Sequence, residues 1–283
     1  MDREEFWHIL KTEFGYQSPP RTCFLAKNFP GWATVVFYAK TLKLVAANSV
    51  IARLGSFDRQ QWANSSVAAI KILESVGGRL HVSGLKEVIE HKGPLVYIAN
   101  HMSMLDTFLL PCLLLAFNDV TFVVKKGLLR YPVFGPIMRA IHPIAVTRDS
   151  PREDLKKVLS KGQNVISKDS SIVIFPQSTR NAVFDLASFN SLGVKLAQRT
   201  GVPVVPVALK TDFQGNGRII RDLGYINPKK TIYVKFGAPL SVEGRGQATH
   251  RKIVGFIASS LREWGCEIQG DERYQTTAEM LKA

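Results

Sequence analysis

The chain has 283 residues, 46% of them hydrophobic, which is enough to bury a sizeable core and excludes a largely disordered protein. Its 37 basic and 23 acidic residues leave a formal charge of +14, a field that draws nucleic acid, anionic lipid, a phosphorylated substrate or an acidic carrier protein, unless the cations only solvate the surface. Cys23, Cys112 and Cys266 lie far apart and make no C-x-x-C pair, so neither a zinc site nor a disulfide framework is indicated, and a reducing compartment is expected.

The N-terminal Met-Asp-Arg-Glu-Glu-Phe-Trp lacks the basic start and apolar stretch of a secretory signal, so export is not expected. The longest run without Asp, Glu, Lys or Arg is Gly93 to Leu105, 13 residues, short of the ~18 that a spanning helix requires, and it predicts no membrane crossing. Residues 1–76 read as helical, with loop signals at Pro19-Pro20 and Pro30-Gly31. Between Gly31 and Leu54, Trp32, Val35, Val36, Ala39, Leu42 and Ala46 recur at helical spacing, with Lys40 and Lys43 beside them and Arg53 near the end. Such a helix can lie in a lipid headgroup layer or pack on the core, and the spacing fits both.

Gly77-Gly78 breaks the helical texture. From Arg79 short β-rich runs alternate with helical stretches. Strands are predicted at 80–82, 95–99, 120–124, 143–147, 172–175, 204–209 and 232–236, and helices at 105–117, 151–162, 188–200 and 247–264. Ser150-Pro151-Arg152-Glu153 marks one helix start, with a cap residue, Pro at the first helical position and an acid in the first turn. The alternation predicts an α/β domain over 77–283 built on a mixed, largely parallel sheet flanked by helices, behind an N-terminal helical module of residues 1–76.

Residues 100–106 read Asn-His-Met-Ser-Met-Leu-Asp. With six histidines and 11 aspartates in the chain, a His-x4-Asp pair arises by chance about 0.23 times, so the pair needs its context. His101 follows the apolar run Pro94 to Ala99 and precedes the apolar stretch Thr107 to Phe117, which places it where a strand hands over to a helix. In α/β folds ligands bind at the carboxyl ends of strands. A histidine titrating near ~6.5 is suited to take the proton of an attacking hydroxyl, and a carboxylate can hold the imidazole in the required tautomer. Five residues turn through roughly 500° on a helix, leaving the two side chains about 140° apart, so His101 must precede the helix and Asp106 lie in its first turns. A buried histidine satisfied by a local carboxylate would look the same in this motif.

Three further stretches add chemistry. Phe175, Pro176, Gln177, Ser178, Thr179 and Arg180 end an apolar strand with small hydroxyl residues and a guanidinium able to hold phosphate oxygens, or simply form a polar turn. Lys125 and Lys126 place two cations at another strand end, with Arg130, Arg139 and Arg148 to follow, or form a solvated basic face. Val202 to Val207 is a strand entered through prolines.

Together these stretches resemble the glycerophospholipid acyltransferases of the PlsC type, the 1-acylglycerol-3-phosphate acyltransferases. That family carries a His-x4-Asp block, a block ending in arginine, a Phe-Pro-Glu-Gly-Thr-Arg block and a Val-Pro-rich block. Asn100 to Asp106, Gly135 to Arg148, Phe175 to Arg180 and Val202 to Val207 match them in order over residues 79–240. The resemblance implies a glycerolipid acyltransferase fold with His101 as general base and Asp106 as its partner. It implies that Arg148 and Arg180 bind the acceptor's phosphate, and that residues 1–76 rest on the bilayer as a membrane-interface module. The substrates it implies are a lysophospholipid acceptor, first of all 1-acylglycerol 3-phosphate to give phosphatidic acid, with another lysophospholipid or a lyso-aminolipid as the alternative, and an acyl-CoA or acyl carrier protein donor, with no cofactor, no metal and no nucleic acid, at the cytoplasmic face of a membrane. Gln177 and Ser178 stand where the family has Glu and Gly, so a carboxylate contact to the acceptor is expected to be missing. A nucleic-acid-binding protein is the competing class, but no aromatic RNA-binding strand or zinc pattern is present. G-x-S-x-G, Walker A and G-x-G-x-x-G patterns are also absent, which removes hydrolase, P-loop and dinucleotide readings.

Overall fold

The computed structural model describes residues 1–20, 31–177, 179–217 and 220–270. Cys23, Pro30 and Ser178 therefore lie outside the described residues. In chain order the elements are α1 (Arg3–Glu13), β1 (Tyr16–Gln17), α2 (Trp32–Arg53), α3 (Arg59–Ser75), β2 (Leu80–Ser83), α4 (Lys86–Glu90), β3 (Val96–Ala99), α5 (Leu105–Leu114) and β4 (Asp119–Lys125). After a 3-10 turn at Lys126–Arg130 come α6 (Phe134–Ala140), β5 (Ile144–Val146), α7 (Pro151–Ile166), β6 (Ser170–Ile174), β7 (Phe184–Asp185), α8 (Leu192–Thr200), β8 (Val204–Lys210), β9 (Ile232–Phe236), α9 (Gln247–Glu263) and β10 (Ile268–Gln269).

Eight strands form one sheet in the order β1-β2-β9-β8-β3-β6-β4-β5, and β10 pairs with β7 apart from it. From β8 to β5 every neighbour is parallel, while β9 runs antiparallel to β8, and β1 antiparallel to β2. This is the mixed, largely parallel sheet expected from the alternation. β3 and β8 are buried at every position, which is why they read as continuous apolar runs rather than alternating ones.

The two-residue period of the strands divides two cores. Tyr97, Ala99, Val173, Val205, Val207 and Leu209 turn to one face, where they meet Phe6, Leu10, Phe37, Ile70 and Leu73 of the N-terminal helices and Leu109 of α5. Val96, Ile98, Ile172, Ile174 and Val204 turn to the other, where Val158 of α7, Leu196 of α8 and Ile257 of α9 cover them. A Cβ at Gly193 would stand 2.6 Å from the Ile98 side chain, so only glycine lets α8 come this close to the central strand.

The helices α1, α2 and α3 share the first core, and β1 joins the sheet with Tyr16 opposite Val82. Although the longest uncharged run is only 13 residues, the helix α2, at 22 residues, is long and apolar enough to cross a membrane by length and composition. Lys40 and Lys43 break the uncharged run without making the helix polar. Ala33 and Phe37 of its first half pack into the core, but an apolar stripe remains outside. Trp32, Val35, Ala39, Leu42, Ala46 and Val50 face outward, Val35 at 67% exposure. Thr41, Asn48 and Ser49 face inward, and Asn48 is held there by Ser65 at 2.8 Å and Gln61 at 3.0 Å, both from α3.

Pro111 lies inside α5, where it lacks an N–H and disturbs the ladder. Ser66 of α3 repairs the gap: its hydroxyl donates to the Phe108 carbonyl and accepts from the Cys112 N–H at 3.0 Å. This splice docks α3 against the helix that carries Asp106.

Candidate active site

His101 stands four positions ahead of α5 and Asp106 in its first turn, as the helical geometry required. Before them, the Asn100 side chain completes the β3–β8 ladder: its Nδ2 donates to the Leu209 carbonyl at 2.7 Å and its Oδ1 accepts from the Leu209 N–H at 2.8 Å. The end of β3 is thereby fixed, and His101 leaves it in a set direction.

Asp106 has no exposed surface, whereas the His101 side chain keeps 15% of its own. One carboxylate oxygen, Oδ2, accepts from His101 Nδ1 at 2.8 Å, from the Met102 N–H at 2.7 Å and from the Ser103 N–H at 3.1 Å. The other, Oδ1, accepts from the Thr211 hydroxyl. An ionised carboxylate only accepts, so the proton on the His101 ring sits at Nδ1, and Nε2 is left as the basic nitrogen.

The third block wraps the same histidine. The His101 ring stacks on Phe175 with centroids 4.3 Å apart and planes 20° from parallel. Gln177 Oε1 accepts from the His101 N–H at 3.1 Å, and Asn181 N–H donates to the His101 carbonyl at 2.9 Å. Gln177 is buried. A neutral amide therefore braces the histidine's backbone at the position where a missing acceptor contact was expected. Pro176 is buried as well, its carbonyl taken by Asn190.

Arg180 and Thr179 face a second loop. Arg180 forms an ion pair with Asp222, and Arg221 Nη1 donates to the Thr179 hydroxyl at 2.8 Å. The same loop reaches the histidine segment, where Asn216 Nδ2 donates to the Met102 carbonyl at 3.2 Å. It also reaches α2: Tyr38 donates its hydroxyl proton to the Gly224 carbonyl at 2.8 Å, and Ile226 N–H donates to Thr34 Oγ1 at 3.0 Å.

The remaining cations stand further across the sheet. By register, the ends of β4 and β5 lie level with the end of β3 but two and three strands away, about 10 and 14 Å at 4.8 Å per strand. Lys125 and Lys126 are exposed there. Arg148 follows β5 with a left-handed backbone (φ 70°), its N–H donating to Asp154 at 2.6 Å. Arg148 is exposed, and partial desolvation lowers the basicity of its guanidinium, offset in part by Asp154. The structure thus gathers His101, Asp106, Phe175, Gln177 and, through the adjoining loop, Arg180, while Lys125, Lys126 and Arg148 form a separate basic rim on the same sheet edge.

Sequence reasoning overlooked Ser103, Thr211 and Asp222. Thr211 carries a signal that could have found it, since it is the polar residue immediately beyond the apolar strand 204–209 and Lys210. Asp222 carries none, because its role depends on a loop crossing from outside the four blocks.

Residues 79–210 match the family model described as Acyltransferase. The chain is similar to the 1-acyl-sn-glycerol-3-phosphate acyltransferase of Pseudomonas aeruginosa, 29% identical over 187 residues, 66% of this chain and 68% of that one. It is also similar to the chloroplastic 1-acyl-sn-glycerol-3-phosphate acyltransferase LPAT1 of Arabidopsis thaliana, 30% identical over 142 residues, 50% of this chain but only 38% of that one. Its fold is that of the 1-acyl-sn-glycerophosphate acyltransferase PlsC from Thermotoga maritima, with a TM-score of 0.61, 18% identity, and coverage of 87% of this chain and all of that chain.

Proposed function

We propose that this chain is a PlsC-type acyltransferase, a reading supported by the family match over residues 79–210 and by the similarity to the Pseudomonas aeruginosa enzyme, and that it moves a fatty acyl group from a thioester donor to the free hydroxyl of 1-acylglycerol 3-phosphate, giving phosphatidic acid. The donor in this reading is acyl-CoA or acyl carrier protein, used as co-substrate without a further cofactor. The observation that carries the proposal is the 2.8 Å contact between His101 Nδ1 and the fully buried Asp106. It leaves Nε2 of a partly exposed ring as the base.

The chemistry balances without a covalent acyl-enzyme. The acceptor hydroxyl attacks the thioester carbonyl while its proton passes to His101 Nε2. The tetrahedral intermediate then collapses, the C–S bond breaks, and the departing thiolate takes the proton back. Asp106 stabilises the imidazolium in between. Arg180 is the phosphate clamp nearest the histidine, and Lys125, Lys126 and Arg148 contribute positive potential from the rim.

The acceptor is a lipid, and the protein meets it at the membrane in this reading. Trp32, Val35, Leu42, Val50 and Leu54 on or after α2 are exposed, as are Tyr131, Val133, Leu223 and Tyr225 in loops near it. Arg53 ties α2 to the first loop through the Pro132 carbonyl at 2.7 Å, and Tyr38 ties it to the second through Gly224. Apolar groups beside Lys40 and Lys43 suit a monotopic or peripheral seat on an anionic leaflet, at the cytoplasmic face.

The test is an acylation assay with labelled acyl-CoA and acyl carrier protein offered against a panel of lysolipids, with products identified by mass. Phosphatidic acid as the main product, and a loss of about 10²-fold or more in a folded His101→Ala variant, is the expected outcome. A folded, fully active His101→Ala variant would overturn it.

A further inference from the structure

We propose that Thr211 is a positioning residue of the acyl-transfer site: its hydroxyl fixes the Asp106 carboxylate so that the opposite oxygen meets His101. The inference rests on the reading of His101 as the base.

Thr211 comes from a distant part of the chain, immediately beyond β8, and is fully buried. It touches the histidine segment from both backbone and side chain. Its N–H donates to Met102 Sδ at 3.3 Å, and its hydroxyl bonds to Asp106 Oδ1 and Ser103 Oγ. The proton order in this cluster is forced. Asp106 is acceptor-only, so the single Thr211 proton points to it. Ser103 must then give its own proton to Thr211, at 2.9 Å, and its oxygen in turn accepts the Leu105 N–H at 3.2 Å. The chain Leu105 to Ser103 to Thr211 to Asp106 therefore runs one way and leaves none of its donors idle.

The consequence falls on the other oxygen. Met102 and Ser103 N–H groups hold Oδ2 from the local backbone, but they leave the carboxylate free to pivot about that oxygen. Thr211 supplies the second anchor. With both oxygens held, the carboxylate plane is fixed and Nδ1 of His101 has one place for its proton. Without the hydroxyl, a buried lone pair is left empty, and the group can turn toward whichever donor remains. That change costs catalysis through misplacement of the base rather than through binding of either substrate.

The experiment compares Thr211→Val, which keeps the shape and removes the donor, with Thr211→Ser, which keeps the donor. It reads steady-state kinetics with acyl-CoA and lysophosphatidic acid, together with the ¹⁵N signature of the His101 ring, which distinguishes the Nδ1–H tautomer from a mixture. For folded Thr211→Val the expected result is kcat lower by about tenfold or more, with both KM values within about twofold and a ring signature moved toward mixed tautomers. Thr211→Ser recovers most of the loss. Wild-type kcat and ring signature in Thr211→Val overturn the proposal, as does a Ser variant as impaired as the Val one. Where Thr211→Val does not fold, Thr211→Cys, a weaker donor of similar size, takes its place, and a Cys variant equal to Ser on both readouts overturns it. The ring signature needs no substrate, so it stands even where the lysolipid panel yields no product. An active, His101-dependent enzyme with an unmoved signature in Thr211→Val sinks this inference alone.

Discussion

The His101 imidazole lies flat on the Phe175 ring, 4.3 Å between centroids, so two residues 74 positions apart in sequence share one stack at the ends of neighbouring strands. With Nδ1 tied to Asp106, the stack removes the remaining freedom of the ring to tilt. Aromatic pairs of this kind contribute about 0.5–1.5 kcal/mol beyond the area they bury. Phe175→Leu is therefore expected to lower kcat by up to roughly tenfold, since 1.4 kcal/mol is one decade, while KM for both substrates holds. Steady-state kinetics on the folded variant check it; a raised KM with unchanged kcat would assign Phe175 to substrate binding instead.

Asp106→Asn tests the carboxylate itself. The amide is nearly isosteric, but one end now donates, and it must face either the Thr211 hydroxyl or His101 Nδ1, both of which need an acceptor. Either placement breaks a bond or favours the wrong imidazole tautomer. A loss of roughly 10³-fold or more in kcat/KM is expected, in line with the ~10⁴-fold cost of the same change in a serine protease triad. Activity within about tenfold of wild type would remove Asp106 from the mechanism.

Arg180 and Asp222 give a paired prediction. The Arg180 guanidinium pairs with the Asp222 carboxylate, so a phosphate that binds Arg180 competes with that carboxylate. Arg180→Ala should raise the KM for lysophosphatidic acid, and Asp222→Ala should lower it, each with a smaller change in kcat. Charged hydrogen bonds of this type contribute about 1.5–3 kcal/mol, or roughly 10- to 100-fold. KM values that move the same way in both variants would show that the ion pair serves the fold and not the acceptor.

Much of this arrangement was legible in the chain. The strands at 204–209 and 232–236 and the helices at 151–162 and 247–264 all appear at nearly the expected positions, because their apolar patterns are long and Ser150-Pro151 marks one helix start. His101 and Asp106 were recognisable because the pair is local and flanked by apolar runs. What was hidden depends on tertiary pairing. β1 and β7 are two-residue strands with no period to detect. The brace from Gln177 to the His101 backbone and the Thr211 anchor join residues 76 and 105 positions apart, distances at which spacing carries no information. The apolar stripe of α2 was visible, but only the packing of Thr41, Asn48 and Ser49 reveals that it faces outward.

That outward face supports a direct test. Val35 and Leu42 are 67% and 60% exposed, and burial in an acyl layer would stabilise each by about 1.5–3 kcal/mol. The double substitution Val35→Glu with Leu42→Glu should cut association with vesicles containing an anionic phospholipid by more than about tenfold, while thermal stability changes little because neither side chain joins the core. Co-sedimentation measures the first and a thermal melt the second. Unchanged binding would place the membrane contact on another surface.

His250 supplies a pH-dependence with a defined sign. It lies in the first turns of α9 and stacks on Phe189 at 6.1 Å. Burial pushes its pKa below the ordinary 6.5, against a hydrogen bond with the Phe189 backbone that acts to raise it. The unfolded chain thus takes up a proton near pH 6.5 that the folded chain does not yet bind. With more protons on the unfolded state, stability rises with pH across that interval. The contribution is complete above pH 6.5 and is lost as the pH falls from 6.5 toward the lowered folded value. His250→Phe, which keeps an aromatic ring against Phe189 but cannot titrate, should flatten this part of the profile. Urea midpoints collected from pH 7.5 to 5.5 for both proteins provide the comparison; curves that stay parallel through the whole range would mean that His250 does not report on folding.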